Sequence, residues 1–469
     1  MKNCIIFGCG FYGRAAICKL SLIYNVLYYV DNDPEIWGNA INGIKVISPD
    51  ELYRLYDEND ADIIICCRPY MEIYRQLARN GITACYSMVE GFMYRIDSDE
   101  TPYPVSLMPL APYKKSSRYE KNILFVQNTA CIRTHKFAAV MSTLRYKVFL
   151  LYTIAPPKYN NSSFEKYYSD IFTASTADEI VDFINNSEFD IVHSSNEPDI
   201  LTSILVGTNK KIVFDTHDMM SMCGYVSTEH LALEFIATSG SDGLIHVSEG
   251  CYNYAERKYN IGNKPVLLIG NYPMRQYEVS PKAKLSETDG EIHCVYEGGM
   301  TFSDKTHARY MKDIWKPIID AGIHIHFYTN ADERSCREYA DSSRYLHYEG
   351  NFGTEQLIEE MTKYDCGLAL FNINGTNRRI LENSSANKIY EYLNAGLPVF
   401  SSNLKYYASF LYENNVGRVY NTKQDIYEQL LSLKKIRIPK DFLNDNKLTF
   451  ESEADNIEMF YNKVKNGEV

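Results

Sequence analysis

Short apolar runs alternate along the chain with amphipathic segments whose apolar residues recur every three or four positions. A run of consecutive apolar residues is typical of a strand buried on both faces, and the longer period is that of a helix. The alternation occurs in three series that start near residues 3, 122 and 291. It therefore predicts an α/β fold built from three doubly wound parallel sheets.

The first series predicts the order strand, glycine turn, helix and strand over residues 3–30. The turn contains Gly8, Gly10 and Gly13 in G-x-G-x-x-G spacing, and the second strand ends in Asp31, 21 residues after Gly10. In nucleotide-binding units such glycines allow a phosphate to approach the backbone, and the acid binds the ribose. Two interpretations stay open for this module: a site for a nucleotide or NAD, or a structural remnant that binds no ligand.

The chain length of 469 residues is enough for about two to four domains. A proline-rich and polar stretch at 96–118 is typical of a linker. We therefore expect a module at 1–95, this linker, one lobe at 119–275, a second lobe at 276–448 and a final helix at 449–469. Strands of the two lobes are predicted at 122–126, 147–151, 190–193, 211–214, 243–247, 266–269, 293–296, 324–328, 345–347, 366–370 and 397–400.

A helix-period segment with the sequence SSANKIYEYLNAGLPVF begins at Ser384 and carries Lys388 and Glu391 one turn apart. Asn383, Ser384 and Ser385 are residue types that cap helix N-termini, so the positive end of this helix would face a phosphate that Lys388 also contacts. Glu391 could accept hydrogen bonds from the hydroxyls of a ribose. The alternative is an ordinary amphipathic helix whose Lys and Glu form a surface ion pair.

This segment resembles the donor-binding signature of glycosyltransferases with the GT-B fold, especially the bacterial group similar to glycosyltransferase family 4 (group 1). In that family a Lys of the helix contacts the diphosphate of a nucleotide-sugar and a Glu contacts its ribose, which implies these roles for Lys388 and Glu391. Many members have a second Glu eight positions before the ribose Glu, where it faces the transferred sugar. Here Asn383 occupies that position and Glu382 lies one residue away, so the sugar contact departs from the family pattern.

The resemblance covers the second and third series, and it implies two lobes that face one cleft. The first series is similar to the small nucleotide-binding Rossmann domains attached to bacterial sugar transferases and sugar O-acyltransferases. Together the two resemblances imply three Rossmann-like units, in which an N-terminal module precedes a two-lobed GT-B fold. The final helix is where chains of that fold cross back to the first lobe.

A glycine pair follows the first strand of the predicted donor lobe. Glycine at Gly298 and Gly299 would let a diphosphate approach the backbone. The family usually has an Arg or Lys directly after the first glycine, and this chain has Gly299 there. The phosphate charge could instead be met by Lys388, Lys305 or Arg378.

The predicted acceptor lobe offers two further groups of candidates. The sequence Asp215-Thr216-His217-Asp218 follows a strand and is similar to an H-D segment of the family. His217 could orient the sugar or the leaving group, and Asp218 could act as the base of an inverting reaction, although the resemblance implies a retaining one. The alternative is that Asp218 caps the next helix and His217 packs. In the loop after the first strand of this lobe, Arg133 and His135 could touch an acceptor or a phosphate.

Charge and cysteine usage limit the compartment and the partners. The formal net charge is −12, which argues against nucleic acid as a partner, although basic residues dominate the window 113–147. That window could dock an anionic lipid or acceptor, or it could be a solvated helix face and linker. The 12 cysteines include no C-x-x-C pair, and no apolar run is long enough to span a bilayer. We expect a cytoplasmic protein with reduced thiols, no signal peptide and at most peripheral contact with the inner face of the membrane.

Asp31-Asn32-Asp33 has the D-x-D spacing that binds a metal in the other large glycosyltransferase fold, but it ends a strand where a ribose-binding acid belongs, so metal dependence is not expected from it. The sequence thus predicts a hexosyltransferase-like, metal-independent enzyme that uses a UDP-, GDP- or dTDP-sugar. Its acceptor would be a saccharide, glycolipid or protein-linked glycan in bacterial-type surface polysaccharide or glycoconjugate synthesis. The alternatives are an NAD-dependent nucleotide-sugar oxidoreductase or epimerase run by the N-terminal module, and a non-catalytic nucleotide-sugar-binding protein.

Overall fold

Apolar strands buried on both faces build the fold, which is α/β with several parallel, Rossmann-like sheets. The computed structural model describes residues 1–155, 165–195, 199–224 and 226–468. Their contacts divide them into two units. Unit 1 contains the described residues up to 213, and unit 2 contains those from 214 onward.

The N-terminal part of unit 1 is a mostly parallel sheet with interspersed helices. Its elements are β1 (Lys2–Phe7), α1 (Phe11–Leu20), β2 (Tyr24–Val30), β3 (Ala40–Ile41), β4 (Ile44–Ile47), α2 (Pro49–Asn59), β5 (Ala61–Ile65), α3 (Tyr70–Ala78), β6 (Cys85–Val89), β7 (Phe92–Ile96) and β8 (Pro102–Pro104). The strand order is β3-β4-β2-β1-β5-β6-β7-β8, and β3, β7 and β8 are antiparallel to their neighbours.

Alternation along β1 explains the two cores of this sheet. Ile5 and Phe7 belong to one buried cluster, together with Leu77 of α3. Cys4 and Ile6 belong to another, which includes residues of α1. Successive side chains of a strand point to opposite faces, so a run that is apolar at every position needs cover on both sides.

The rest of unit 1 is a second parallel sheet. Its elements are β9 (Asn122–Gln127), α4 (Ile132–Thr143), β10 (Lys147–Tyr152), β11 (Asp170–Thr173), α5 (Ala177–Asn186), β12 (Ile191–Ser195) and α6 (Asp199–Leu205). The strands lie in the order β11-β10-β9-β12, with parallel pairing throughout. The boundary between the units falls inside the next strand, β13 (Lys211–Thr216).

A buried lysine joins the two sheets of unit 1. Lys19 of α1 is 2% exposed, and its ammonium donates hydrogen bonds to the carbonyl oxygens of Gly91 (2.8 Å), Thr153 (2.9 Å) and Ala174. Gly91 has φ +83°, and a Cβ atom there would lie 1.9 Å from the Thr153 oxygen. Only glycine therefore fits at this position of the turn between β6 and β7. We call Lys19 and its three carbonyl acceptors, those of Gly91, Thr153 and Ala174, the Lys19–Gly91 joint.

Unit 2 starts within β13 and contains the helices and strands that follow it in the chain. They are α7 (Thr228–Gly240), β14 (Gly243–His246), α8 (Glu249–Lys258), β15 (Val266–Leu268), α9 (Ser286–Asp289), β16 (His293–Glu297), α10 (Lys312–Asp320), β17 (His324–Tyr328), α11 (Glu333–Ala340), β18 (Leu346–Gly350), α12 (Thr354–Met361), β19 (Cys366–Ala369), α13 (Arg378–Asn383), α14 (Asn387–Asn394), β20 (Val399–Ser401), α15 (Lys405–Glu413), β21 (Gly417–Val419), α16 (Ile426–Leu433), α17 (Phe442–Asp445) and α18 (Ala454–Asn466).

Six strands of unit 2 form one parallel sheet in the order β18-β17-β16-β19-β20-β21. Since all six run the same way, their carboxyl ends share one edge, where ligands of doubly wound sheets bind. The last helix, α18, packs against β14, because a Cβ on Gly243 would meet Val464 at 2.4 Å and Phe460 at 3.0 Å. The glycine at the start of β14 thus makes room for the C-terminal helix.

We expect Lys19→Met to destabilise unit 1 by about 1–3 kcal/mol, because three carbonyl oxygens lose their donor. Burial lowers the pKa of Lys19 to about 7, whereas an unfolded lysine titrates near about 10.4. Between these values the unfolded chain binds more protons, so this residue's contribution to stability rises with pH. Urea unfolding at pH 7 and 9, monitored through hydrogen exchange of the β6 and β7 amides, should show a free energy of unfolding that rises with pH in the wild type but not in the Lys19→Met variant.

The matched control is Lys45→Met, which removes an exposed lysine paired with Glu51 at 3.0 Å. It should leave both the stability of β6 and β7 and its pH dependence within about 0.5 kcal/mol of the wild type. Equal behaviour of the Lys19 and Lys45 variants would contradict the joint.

Candidate active site

The glycine pair, Gly298 and Gly299, lies at the carboxyl end of β16, and two cationic side chains approach it. Gly298 has φ +119°, and a Cβ atom there would lie 3.2 Å from Lys388 Nζ. A Cβ on Gly299 would lie 2.7 Å from Nη1 of Arg309. The turn is pinned to the next strand, since Gly298 N donates to the Tyr328 oxygen at 3.1 Å. Two positive side chains therefore occupy the space that side chains at the two glycines would take.

Lys388, the second residue of α14, is half-buried and rests on an aromatic ring. Its Nζ is 3.8 Å from the ring centroid of Tyr296 and 5.8 Å from that of Phe371. The Tyr296 hydroxyl donates to the Gly299 oxygen at 2.8 Å, which fixes the ring beneath the lysine. In the described part of the chain no ion pair involves Lys388, so the alternative of a Lys388–Glu391 surface pair is not observed.

Glu391 lies one turn further along α14 and is half-buried. Its neighbour Tyr392 is fully buried, donates to the Leu368 oxygen at 3.1 Å and accepts from Glu297 N at 3.1 Å. Burial raises the pKa of Tyr392, and the charges of Glu297 and Glu391 add to that shift. Glu391 is thus presented by a helix that is tied to the ends of β16 and β19.

The start of α14 differs from the expectation. The helix begins at Asn387 with Ala386 in the capping position, which offers no capping side chain. The short helix α13 ends at Asn383, so the residues expected to cap α14 lie in the connection between two helices. Ser385 instead accepts a hydrogen bond from Asn271 N at 3.0 Å, and Asn271 Nδ2 donates to the Ser385 oxygen at 2.8 Å.

Asn383 is held against the N-terminus of α8. Ser248 caps that helix through Cys251 N and donates from Oγ to the Asn383 oxygen at 2.6 Å. Asn383 Nδ2 donates to the Arg379 oxygen at 2.7 Å. A Cβ on Gly250 would lie 2.2 Å from Asn383 Oδ1, so glycine allows this approach. Asn383 thus joins α13 to α8.

Of the two predicted reaction-centre residues, Asp218 lies near a predicted donor residue, Ser384. His217 and Asp218 follow β13 and are half-buried. The Ser384 hydroxyl is 3.0 Å from the hydroxyl of Tyr407. Burial raises the pKa of Tyr407, and the charge of Asp218 adds to that shift, so Asp218 lies within electrostatic range of the tyrosine that Ser384 contacts. Gly224 N, a few residues on, donates to the Thr376 oxygen at 2.7 Å.

Two other cations that could have met the phosphate differ in availability. Lys305 is exposed, and its carbonyl oxygen accepts from Asn372 Nδ2 at 2.8 Å. Arg378 pairs with Glu382 at 3.2 Å on the surface of α13. Arg309, which the sequence did not single out, is the arginine that approaches the glycine pair.

The candidates in α4 are buried in unit 1. His135 is fully buried, its Nδ1 lies 2.7 Å from the Tyr168 hydroxyl, and burial lowers its pKa to about 4. Arg133 is 3% exposed, with its guanidinium 5.3 Å from the ring centroid of Phe137. Neither side chain is presented on the surface of the unit.

Basic residues of the window 113–147 are partly neutralised by acids. Lys115 pairs with Asp190 at 2.8 Å. Lys147 pairs with Glu120 at 2.8 Å, and this bond is the main cause that lowers the pKa of Glu120 to about 2. The positive charge of the window is therefore smaller than its count of lysines and arginines indicates.

Two glycines of the turn in the N-terminal module stand where a side chain would be strained or would clash. Gly8 has φ +111°, and a Cβ on Gly13 would lie 1.8 Å from the Gly8 oxygen. Asp31 Oδ2 accepts from Cys9 N at 2.7 Å, and Oδ1 accepts from Asp33 N at 3.0 Å. Gly10 precedes α1 in an extended conformation. The acid at the end of β2 thus already holds two backbone N–H groups of its own module.

The described residues contain neither a cluster of metal ligands nor a helix that could span a membrane. No group of three or more His, Cys, Asp or Glu side chains there is arranged to hold a metal ion. No helix in the same residues combines the length and the apolar character that crossing a membrane requires.

Comparison with known proteins gives one family match and several similar structures. A family model described as "C2185-like, N-terminal" matches residues 1–85. No curated protein matches the chain. Similar solved structures include AviGT4, a glycosyltransferase involved in avilamycin A biosynthesis (12% identity, 74% of this chain and 98% of that chain, TM-score 0.49). Others are Alr3699/HepE of Anabaena in complex with UDP-glucose (12%, 74% and 98%, 0.49) and WaaG, a glycosyltransferase involved in lipopolysaccharide biosynthesis (13%, 73% and 97%, 0.44).

Proposed function

We propose that the protein is a metal-independent glycosyltransferase of the GT-B type that uses a nucleotide-diphosphate sugar. The observation that carries the proposal is the Lys388 ammonium, which is held over Tyr296 at the Gly298 turn without a carboxylate partner in the described residues. The resemblance of the surrounding segment to the family's donor-binding signature supports it. A UDP-, GDP- or dTDP-sugar fits equally, since none of these residues reads the base.

In this mechanism the chain stabilises the leaving nucleoside diphosphate. Negative charge grows on the diphosphate as the glycosidic bond breaks, and a fixed cation at that place lowers the barrier. The glycine pair lets the phosphates approach the backbone, Lys388 neutralises their charge, and Glu391 binds the ribose hydroxyls. His217 and Asp218 orient the sugar and the acceptor hydroxyl. The acceptor is a saccharide, a lipid-linked or a protein-linked glycan of bacterial-type surface polysaccharide or glycoconjugate synthesis, and the enzyme works in the cytoplasm or at the inner face of the membrane.

Replacing Lys388 or Glu391 tests this assignment directly. Lys388→Ala should lower the turnover of the donor by about 100-fold, because one fixed charge at the leaving group is lost. Glu391→Ala should weaken donor binding by about 10- to 100-fold, because a charged hydrogen-bond acceptor of the ribose is lost. Release of nucleoside diphosphate from each donor, with and without an acceptor panel, gives both quantities.

The control is Lys405→Ala, which removes an exposed lysine from the first position of α15. It should keep wild-type kinetics. Wild-type turnover in both the Lys388 and the Glu391 variants would overturn the site. Donor binding by the wild type without transfer to any acceptor would favour the non-catalytic nucleotide-sugar-binding protein.

A second candidate function belongs to the N-terminal module, because its close glycine turn and Asp31 have the form of a nucleotide or NAD site. Such a site would support a regulatory role or the oxidoreductase alternative. Thermal-shift measurements on the full chain with UDP-, GDP-, dTDP- and CMP-sugars and NAD(P) separate the two sites. A shift that Asp31→Ala abolishes and Lys388→Ala retains assigns the ligand to the module. The absence of any such ligand would leave the module a structural part of unit 1.

A further inference from the structure

Arg309 lies in the connection between β16 and α10, ten residues beyond Gly299 in the sequence. Its guanidinium lies against Gly299, where Nη1 would be 2.7 Å from an added Cβ and Cζ would be 3.5 Å away. The guanidinium of Arg309 therefore lies at the position directly after the first glycine of the pair, where the sequence itself has Gly299 and no cationic residue.

Both backbone polar groups of Arg309, its N–H and its carbonyl oxygen, are hydrogen-bonded within its own loop. Thr301 N donates to the Arg309 oxygen at 3.2 Å, and Arg309 N donates to His307 Nδ1 at 3.0 Å. A further turn forms upstream, where Thr306 N and Oγ1 both donate to Asp304 Oδ1. The backbone of Arg309 is thus fixed by the loop itself.

Two asparagines after β19 hold the same loop from the side. Asn372 Nδ2 donates to the oxygens of Lys305 (2.8 Å) and His307 (3.1 Å), and Asn372 N donates to the Ala308 oxygen at 2.9 Å. Asn374 Nδ2 donates to the Thr306 oxygen at 2.7 Å. Four hydrogen bonds from this segment therefore fix the backbone of the loop just before Arg309.

Arg309 is exposed, and no carboxylate among the residues that the structure describes pairs with it. Arg378, an exposed arginine of α13, is by contrast paired with Glu382. A guanidinium presents several planar N–H donors that match two phosphate oxygens at once. Lys388 approaches the preceding glycine, so a diphosphate at the turn would meet a point charge and a planar donor group on consecutive residues.

We propose that Arg309 is the second cation of the donor site, binds the diphosphate in place of a cation at position 299, and is positioned by Asn372. The inference rests on the proposed function, because it concerns the same diphosphate. It goes beyond it by naming a binding residue that lies outside the signature segment and a positioning residue on a different strand end.

The test measures binding of UDP, GDP, uridine and inorganic pyrophosphate to the full chain by calorimetry. Arg309→Ala should weaken the binding of pyrophosphate, and of whichever of UDP and GDP the wild type binds more tightly, by about 10- to 100-fold. The binding of uridine should stay unchanged, since only phosphate contacts are lost. Arg309→Lys should recover part of the loss, because a lysine keeps the charge without the planar donor pair. Arg334→Ala, an exposed arginine of α11, is the matched control and should bind like the wild type.

A relocation variant keeps the test informative about mechanism. Gly299 does not have the positive φ that excludes side chains, so an arginine is allowed there once Arg309 is removed. The double variant Arg309→Ala with Gly299→Arg should regain most of the lost affinity for pyrophosphate. Asn372→Ala should weaken binding in the wild type and have no further effect in the Arg309→Ala background, because a positioning residue acts only through the group it positions.

The outcomes separate this inference from the proposed function. If the wild type binds neither nucleoside diphosphate nor pyrophosphate, the proposed function fails. If the wild type binds them and Lys388→Ala weakens them while Arg309→Ala does not, Arg309 is a surface residue and this inference alone is overturned. Failure of the relocation variant to regain affinity, in a protein that melts like the wild type, would also overturn it.

Discussion

The candidate site depends on a positive charge that is held in place without being neutralised. Lys388 rests on the face of Tyr296, and the ring is itself fixed by its hydrogen bond to the Gly299 oxygen. The quadrupole of an aromatic ring attracts a cation, yet it carries no charge that an anionic ligand would have to displace. A carboxylate in the same position would compete with any phosphate. The aromatic support therefore leaves the ammonium oriented and available.

The surrounding hydrogen bonds make this arrangement rigid. The buried hydroxyl of Tyr392 connects α14 to Glu297 at the end of β16 and to Leu368 of β19. On the other side, Asn271 bonds to Ser385 before α14 starts. Side chains that bind a charge in a fixed geometry need such support, because a displacement of one ångström weakens both orientation and electrostatic stabilisation. The many tyrosines of the chain act here as connectors between backbone segments.

The sequence predicted those parts of the fold in which burial is continuous. The strands β1, β9 and β16 are buried along most of their length, and their apolar runs revealed them. The edge strand β8 was missed because it consists of three exposed residues within a proline-rich segment, and β21 because it is short and only its first residue is fully buried.

The site was predictable only as far as it lies in one continuous segment. Lys388 and Glu391 share a helix, so their spacing identified them. The N-caps were wrongly expected at Asn383 and its neighbours, because a short helix ends there and periodicity does not show where one helix stops and the next begins. Arg309 gave no local signal at all. Only the loop between β16 and α10, held by Asn372, brings it to the glycine pair.

The Lys19–Gly91 joint has a consequence for how this architecture can be inherited. Its three acceptors come from both sheets of unit 1, and its donor comes from the helix that follows the glycine turn. A gene fusion that replaced residues 1–118 with a foreign module would leave the oxygens of Thr153 and Ala174 without their lysine donor, unless the new module offered a lysine and a glycine at matching places. The module and its neighbouring sheet are therefore expected to be exchanged between proteins as one piece.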